Sequence, residues 1–340
     1  MFGRRSDGKK VKGMNIIDKA GPFFMNQRID AVNYYKAQIP CAAMDEFIAR
    51  ERRNGNSYTY MHLMFATLVR ILYTRKKMNR FIMRGSTYQR NTISLSMDIK
   101  KKLEDDGDNV TCKFYFTGRE SLAEIKSIID EEIAKNVKPE EVDRTTKVAS
   151  RLGKLPDFLF RWFMALARFL DRHGMLPKSL IKASPFHTSI FLTNLKSIKL
   201  NYIYHHLYNF GTTSIFVSMG KEKLEPYVDS NKEVKVGKFL TVGFSLDERI
   251  ADGLYMGKTM KLIHDLLTNP DSLTVSMPDD GTIPKKLLKK NKKSASKNKA
   301  KKVKKEKVVK PKKIKPLKNK EKLDKKNNKK ESKEAKNKEL

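Results

Sequence analysis

The chain has 340 residues, 39% of them hydrophobic, and a formal charge of +34. That length suits one large domain or two small ones, and no run of roughly 18 apolar residues is available to cross a membrane. Cys41 and Cys112, the two cysteines, make neither a disulfide framework nor a CxxC zinc spacing.

The opening "MFGRRSDGKKVKG" is charged and lacks an apolar core, so no signal peptide is expected and the expected localisation is cytoplasmic. Met61, Met64, Phe65, Leu68, Ile71 and Leu72 form one stripe at helical spacing and predict a helix over 57–74. Ile93, Leu95, Met97 and Ile99 alternate, as do Val110, Cys112, Phe114 and Phe116, which predicts two half-buried strands. "EDDGDN" between them reads as a turn on Gly107. Ser121 and Glu124 have capping-box spacing ahead of a helix that turns Leu122, Ile125, Ile129 and Ile133 inward.

Residues 155–177 predict an amphipathic helix bearing Phe158, Trp162, Phe163, Leu166 and Phe169. It carries Arg161, Arg168 and Asp171, too much charge for a membrane span. It reads as a packed or subunit-interface helix, with an interfacial membrane helix or a lid as alternatives. Strands are expected at 187–193, 212–219 and 239–246, and a last helix over 254–268 stops at Asn269-Pro270. The expected fold class is α/β, a mixed sheet flanked by helices in one domain over 1–275. Residues 276–340 are expected to be a disordered tail. From Lys285 to Leu340 there are 27 Lys against 6 acids, +21 of the total charge. Such a segment cannot bury enough surface to order itself; it is expected to solubilise the chain or tether it non-specifically to RNA or a membrane surface.

The sequence has no HExxH, GxGxxG, P-loop or GxSxG pattern. His62 and His264 sit inside amphipathic helices and read as structural. What remains is a strand with Phe191-Leu192-Thr193-Asn194-Leu195, a loop with His205 and His206, an apolar strand ending "MGKEKLEP", and "SLDERIADG" at 245–253.

This order resembles the catalytic domain of the 2-oxoacid dehydrogenase acyltransferases (dihydrolipoamide acyltransferases), which have the chloramphenicol acetyltransferase-like fold. Their DHRxxDG signature is similar to Asp247-Glu248-Arg249-Ile250-Ala251-Asp252-Gly253, and their TISNLG strand to residues 191–195. The resemblance spans roughly residues 10–275, with 155–177 as an insertion. It implies acyl transfer between coenzyme A and a thiol or small acceptor, with no metal. Glu248 takes the place of the general base and Thr193 that of the oxyanion donor. Asp252 holds the loop and Arg249 stands with the catalytic residues, while Asn194 and Gly253 stand with those that bind the coenzyme. It also implies a homotrimer in which base and hydroxyl meet across a subunit boundary. No lipoyl domain is expected, so the acceptor is free coenzyme A or a small molecule.

The departure is Glu248, where the family has His. Taking a proton from a thiol near pKa 8.5 is uphill by about 2.7 kcal/mol to an imidazole and about 5.7 kcal/mol to a carboxylate. The difference, about 3 kcal/mol, is roughly hundredfold in rate. Three expectations follow: Glu248, His205 or His206 serves as base; the chain is a pseudoenzyme that binds coenzyme A or acyl groups; or it is a trimeric scaffold presenting the basic tail.

Overall fold

Alternation of apolar and polar residues builds the central sheet. The computed structural model describes residues 5–100, 109–137 and 155–281; Gly107 and the lysine-rich segment after 285 lie outside them. Nine strands are described: β1 (Gly8–Lys10), β2 (Val32–Pro40), β3 (Arg80–Met83), β4 (Ser86–Arg90), β5 (Ile93–Lys100), β6 (Asn109–Phe116), β7 (Ile190–Asn194), β8 (Ile215–Val228) and β9 (Val234–Asp247). Six form a mixed sheet in the order β2-β9-β8-β7-β5-β6, and β1-β4-β3 form a small second sheet. β7 runs parallel to both its neighbours, β5 and β8. Such a strand is covered on both faces, and Ile190, Phe191 and Leu192 are all buried.

One face of the large sheet carries Leu240, Val242, Phe244 and Leu246 of β9 with Ile215, Val217 and Met219 of β8. These pack against α2 (Ala42–Arg53), α3 (Tyr60–Thr74), α4 (Leu122–Val137) and α7 (Gly253–Leu267) through residues such as Phe47, Phe65, Ile125 and Ile263. The capping box of α4 forms: Ser121 N–H donates to Glu124 Oε2 at 2.7 Å. His62 closes a second box on α3 by accepting from Thr59 N–H at 3.1 Å.

The opposite face is polar: Ser94, Ser96, Ser218 and Ser245 are buried there with Thr241. The loop at 200–208 lies across it. A Cβ built on Gly243 would stand 2.4 Å from Ile203 O, and one on Gly220 2.4 Å from Tyr202 N, so both positions need glycine for the backbones to approach. His205 stacks on Phe216 of β8 with ring centroids 3.8 Å apart, and Leu207 packs with Phe191 and Phe216.

Several boundaries differ from the expectation. β7 starts at Ile190 because Thr188 and Ser189 bond to the Ser94 carbonyl of β5 instead of extending the ladder. β8 and β9 run on into a hairpin whose far end is exposed at Leu224, Val228, Val234 and Val236; unburied residues leave no alternation to read. The helix expected over 155–177 is α5 (Asp157–Arg172), followed by α6 (Lys178–Ala183). Gly174, at φ 72°, ends α5, with Met175 N–H returning to Leu170 O at 2.8 Å and Gly174 N–H to Asp171 O at 3.1 Å. This is the glycine stop that a helix C-terminus favours. The short α1 (Ile16–Phe24) precedes β2. Among the described residues no helix is long and apolar enough to cross a membrane.

Candidate active site

β9 ends at Asp247, whose N–H donates to Ser214 O at 2.9 Å. Its side chain is fully buried and accepts from two guanidinium donors of Arg249, Nε at 2.8 Å and Nη2 at 2.7 Å. Arg249 Nη1 donates to Met25 O at 2.7 Å, and Glu248 N–H donates to Ala31 O at 2.9 Å. A buried ion pair persists only when its remaining donors and acceptors are met. Here they tie the 3-10 turn Glu248–Ile250 to the segment between α1 and β2.

Glu248 is half-buried. Asn33 Nδ2 donates to its Oε2 at 2.6 Å. Both residues line a cavity of about 280 Å³ whose walls include Ile17, Asp18, Arg80 and Asp252. Asp252 is the N-cap of α7, accepting from Tyr255 N–H at 2.8 Å, and it pairs with Lys77 Nζ at 3.2 Å. The Tyr255 N–H, with help from Lys77, holds its carboxylate below the usual range against the opposing effect of burial. The loop therefore has two anchors, the buried Asp247–Arg249 pair and the exposed Asp252 cap. Gly253 begins α7, and a Cβ there would meet nothing within 4 Å.

Thr193 and Asn194 close β7. Thr193 pairs with Ser218 of β8, whereas Asp247 bonds across to Ser214. Four strand residues are about 13 Å, and two strand spacings are about 10 Å. Thr193 and Asp247 of one chain are thus roughly 16 Å apart, and the structure does not bring Thr193 together with Glu248 within a protomer. Asn194 Oδ1 is buried without a hydrogen-bond partner among the described residues.

His205 and His206 do not line the cavity at Glu248. His205 Nδ1 lies 2.8 Å from His206 O, and burial pushes its imidazole below its ordinary range. His206 is exposed and packs beside Tyr208. No group of three or more His, Cys, Asp or Glu among the described residues could hold a metal ion. Cys41 and Cys112 are buried and not disulfide-bonded.

Sequence reasoning missed Asp247 as the partner of Arg249, and it missed Asn33 and Lys77. The i, i+2 spacing of Asp247 and Arg249 was the available signal; Asn33 and Lys77 come from distant segments and left none.

Residues 190–275 match the family model described as 2-oxoacid dehydrogenases acyltransferase (catalytic domain). The resemblance carried by 191–195 and 247–253 thus meets a family match over the same C-terminal segment. No curated protein matches. Among solved structures, a probable dihydrolipoamide acetyltransferase from Listeria monocytogenes is 14% identical at a TM-score of 0.47, covering 76% of this chain and 94% of that one. The cubic core of a pyruvate dehydrogenase multienzyme complex is 11% identical at 0.49, covering 78% and 93%. A chloramphenicol acetyltransferase is 12% identical at 0.46, covering 76% and 99%.

Proposed function

We propose that residues 1–275 form an acyltransferase-like domain that moves an acyl group between coenzyme A and a thiol or small acceptor, with Glu248 as the proton acceptor. The observation that carries this reading is the position of Glu248. It lines a cavity and sits on a turn fixed by the Asp247–Arg249 pair, inside the segment that matches the acyltransferase family. Coenzyme A is a substrate here. Glu248 would take the thiol proton on a carboxylate oxygen, Oε2 being already engaged by Asn33. The thiolate would attack the donor's acyl carbonyl, a hydroxyl donor would stabilise the oxyanion, and collapse would break the bond from the acyl carbon to the donor's heteroatom, the leaving group taking the proton back from Glu248. Arg249 and Asp252 would position the turn. Asn194, with an unmet buried acceptor, and Gly253, at the open start of α7, are the candidate contacts to the coenzyme.

The roughly 16 Å between Thr193 and Asp247 supports a homotrimer in which Thr193 of one copy faces Glu248 of the next. One of the similar structures is itself the core of a multienzyme complex. The test has two parts. Acyl-coenzyme A with an acceptor should release free thiol, and Glu248→Gln should abolish the release. Light scattering should give three times the mass of the chain; a monomer would remove the shared site.

A second reading has its own observation. A carboxylate is in general a weaker base than an imidazole, and Glu248 spends one oxygen on Asn33, which favours a chain that binds coenzyme A without turnover. Calorimetry that shows binding with no thiol release would select it.

A further inference from the structure

A larger cavity, about 810 Å³, lies on the other side of Arg249. Arg28, Arg84, Arg168, Arg172 and Arg249 line it, against one carboxylate, Asp171. That carboxylate is already committed: Arg5 Nη2 donates to it at 2.8 Å, and His187 Nε2 lies 3.2 Å away. Arg249 is likewise neutralised by Asp247. Among the described residues, Arg28, Arg84, Arg168 and Arg172 therefore line the cavity without a carboxylate of their own.

Arg28 is the most telling of them. It is 5% exposed, and among the described residues its Nη1 and Nη2 donate only to the carbonyls of Tyr208, Asn209 and Ile82. Its Nε has no hydrogen-bond partner among the described residues. A buried cation paired only with neutral carbonyls costs stability, and burial pushes its guanidinium down to about 10. Arg168 and Arg172 stand one helical turn apart on α5, a like-charge spacing that works against a helix. Arg84 sits at φ 49° beside Gly85 at φ 67°, in the tight turn between β3 and β4, a backbone state that a long side chain adopts only at a cost. Three separate elements thus accept unfavourable local terms to aim arginines at one space.

We propose that this cavity is an anion site that takes a small organic polyphosphate of nucleoside diphosphate size. The volume lies in the usual range of small-molecule sites, about 300–1,000 Å³. Guanidinium forks match phosphate oxygens in pairs, which suits several arginines converging on one ligand. Phe23 and Phe210, also in the lining, give an apolar wall for the organic part. The site stands whether or not Glu248 transfers acyl groups. The same chemistry is carried by a free nucleotide and by the nucleotide end of coenzyme A.

Isothermal titration of the full chain with pyrophosphate, adenosine diphosphate and coenzyme A tests this, against Arg168→Ala/Arg172→Ala and Arg84→Gly. The lysine-rich segment is common to all three proteins, so any binding to it cancels in the comparison. A saturable one-to-one component is expected in the wild type, weakened about tenfold or more in each variant. Arg84→Gly is a variant that suits the φ of its turn, so it should bind more weakly while melting no lower. Coenzyme A tighter than adenosine diphosphate would identify the carrier as the source, and equal affinities a free nucleotide. No one-to-one component, or isotherms identical in wild type and variants, would overturn the proposal.

Discussion

Asn33 and Glu248 meet across the edge of the large sheet, the amide of β2 donating to the carboxylate at 2.6 Å. This contact holds the side chain proposed as the proton acceptor. Replacing Glu248 by His tests what the carboxylate does. The more basic group recovers about 3 kcal/mol of driving force for thiol deprotonation, so Glu248→His should raise kcat about hundredfold if proton transfer limits the rate. Thiol release from acyl-coenzyme A measures it. An unchanged rate in both Glu248→His and Glu248→Gln would mean that the proton goes elsewhere.

The Asp247–Arg249 pair is a matter of stability before it is one of chemistry. Both side chains are buried, at 0% and 3% exposure. Removing the charge of Asp247 leaves the Arg249 guanidinium inside without its counter-ion, which costs about 3–5 kcal/mol in comparable cases. Asp247→Asn should therefore shift the urea midpoint strongly downward. Asp247→Asn/Arg249→Met should recover part of the loss, since no charge is then left buried without a counter-ion. A double variant as unstable as the sum of the singles would mean that the two residues are not coupled.

The legible part of the fold is the part where burial writes a period. β5, β6, α3 and α7 carry apolar residues at spacing 2 or 3.6 because one face of each meets the core. The outer half of the β8–β9 hairpin meets nothing, so its strands ran longer than their pattern. At the site, "DERIADG" was legible as a loop because Asp247, Arg249 and Asp252 are neighbours in sequence. The arginine cavity was not. Arg28, Arg84 and Arg168 are separated by tens of residues, and each alone is an ordinary surface cation until the chain folds.

His187 makes the fold sensitive to acid. It is 2% exposed, and burial pushes its imidazole below the ordinary 6.5 despite the pull of Asp171. Below about pH 6.5 the unfolded chain takes up a proton that the folded chain does not. The contribution is therefore complete above that pH and is lost as pH falls toward the folded value. Burial also pushes the Asp171 carboxyl up, but His187 and Arg5 outweigh it and hold it below the usual carboxylate range. Its own contribution is lost only below about pH 4. Unfolding free energies measured from pH 7 to pH 5 should fall for the wild type and fall less for His187→Gln. Parallel curves would mean that His187 keeps its ordinary value in the fold.

Gly243 controls how closely the 200–208 loop lies on the polar face of the sheet. A methyl group there would need the space 2.4 Å from Ile203 O, a backbone atom that cannot rotate away. Ser218 Oγ, which accepts from Ile203 N–H at 3.1 Å, would also be crowded, at 2.8 Å. Gly243→Ala should therefore push the loop outward and cost about 1–3 kcal/mol, the usual penalty of overpacking. The displacement has a second readout. His205 lies face to face with Phe216, 4° from parallel, so its ring protons feel the current of the phenyl ring. They should move toward random-coil shifts in the variant while the helix-side core, built on Val242 and Phe244, keeps its spectrum. A variant with wild-type stability and an unmoved His205 signal would mean that the loop does not rest on β9 at this point.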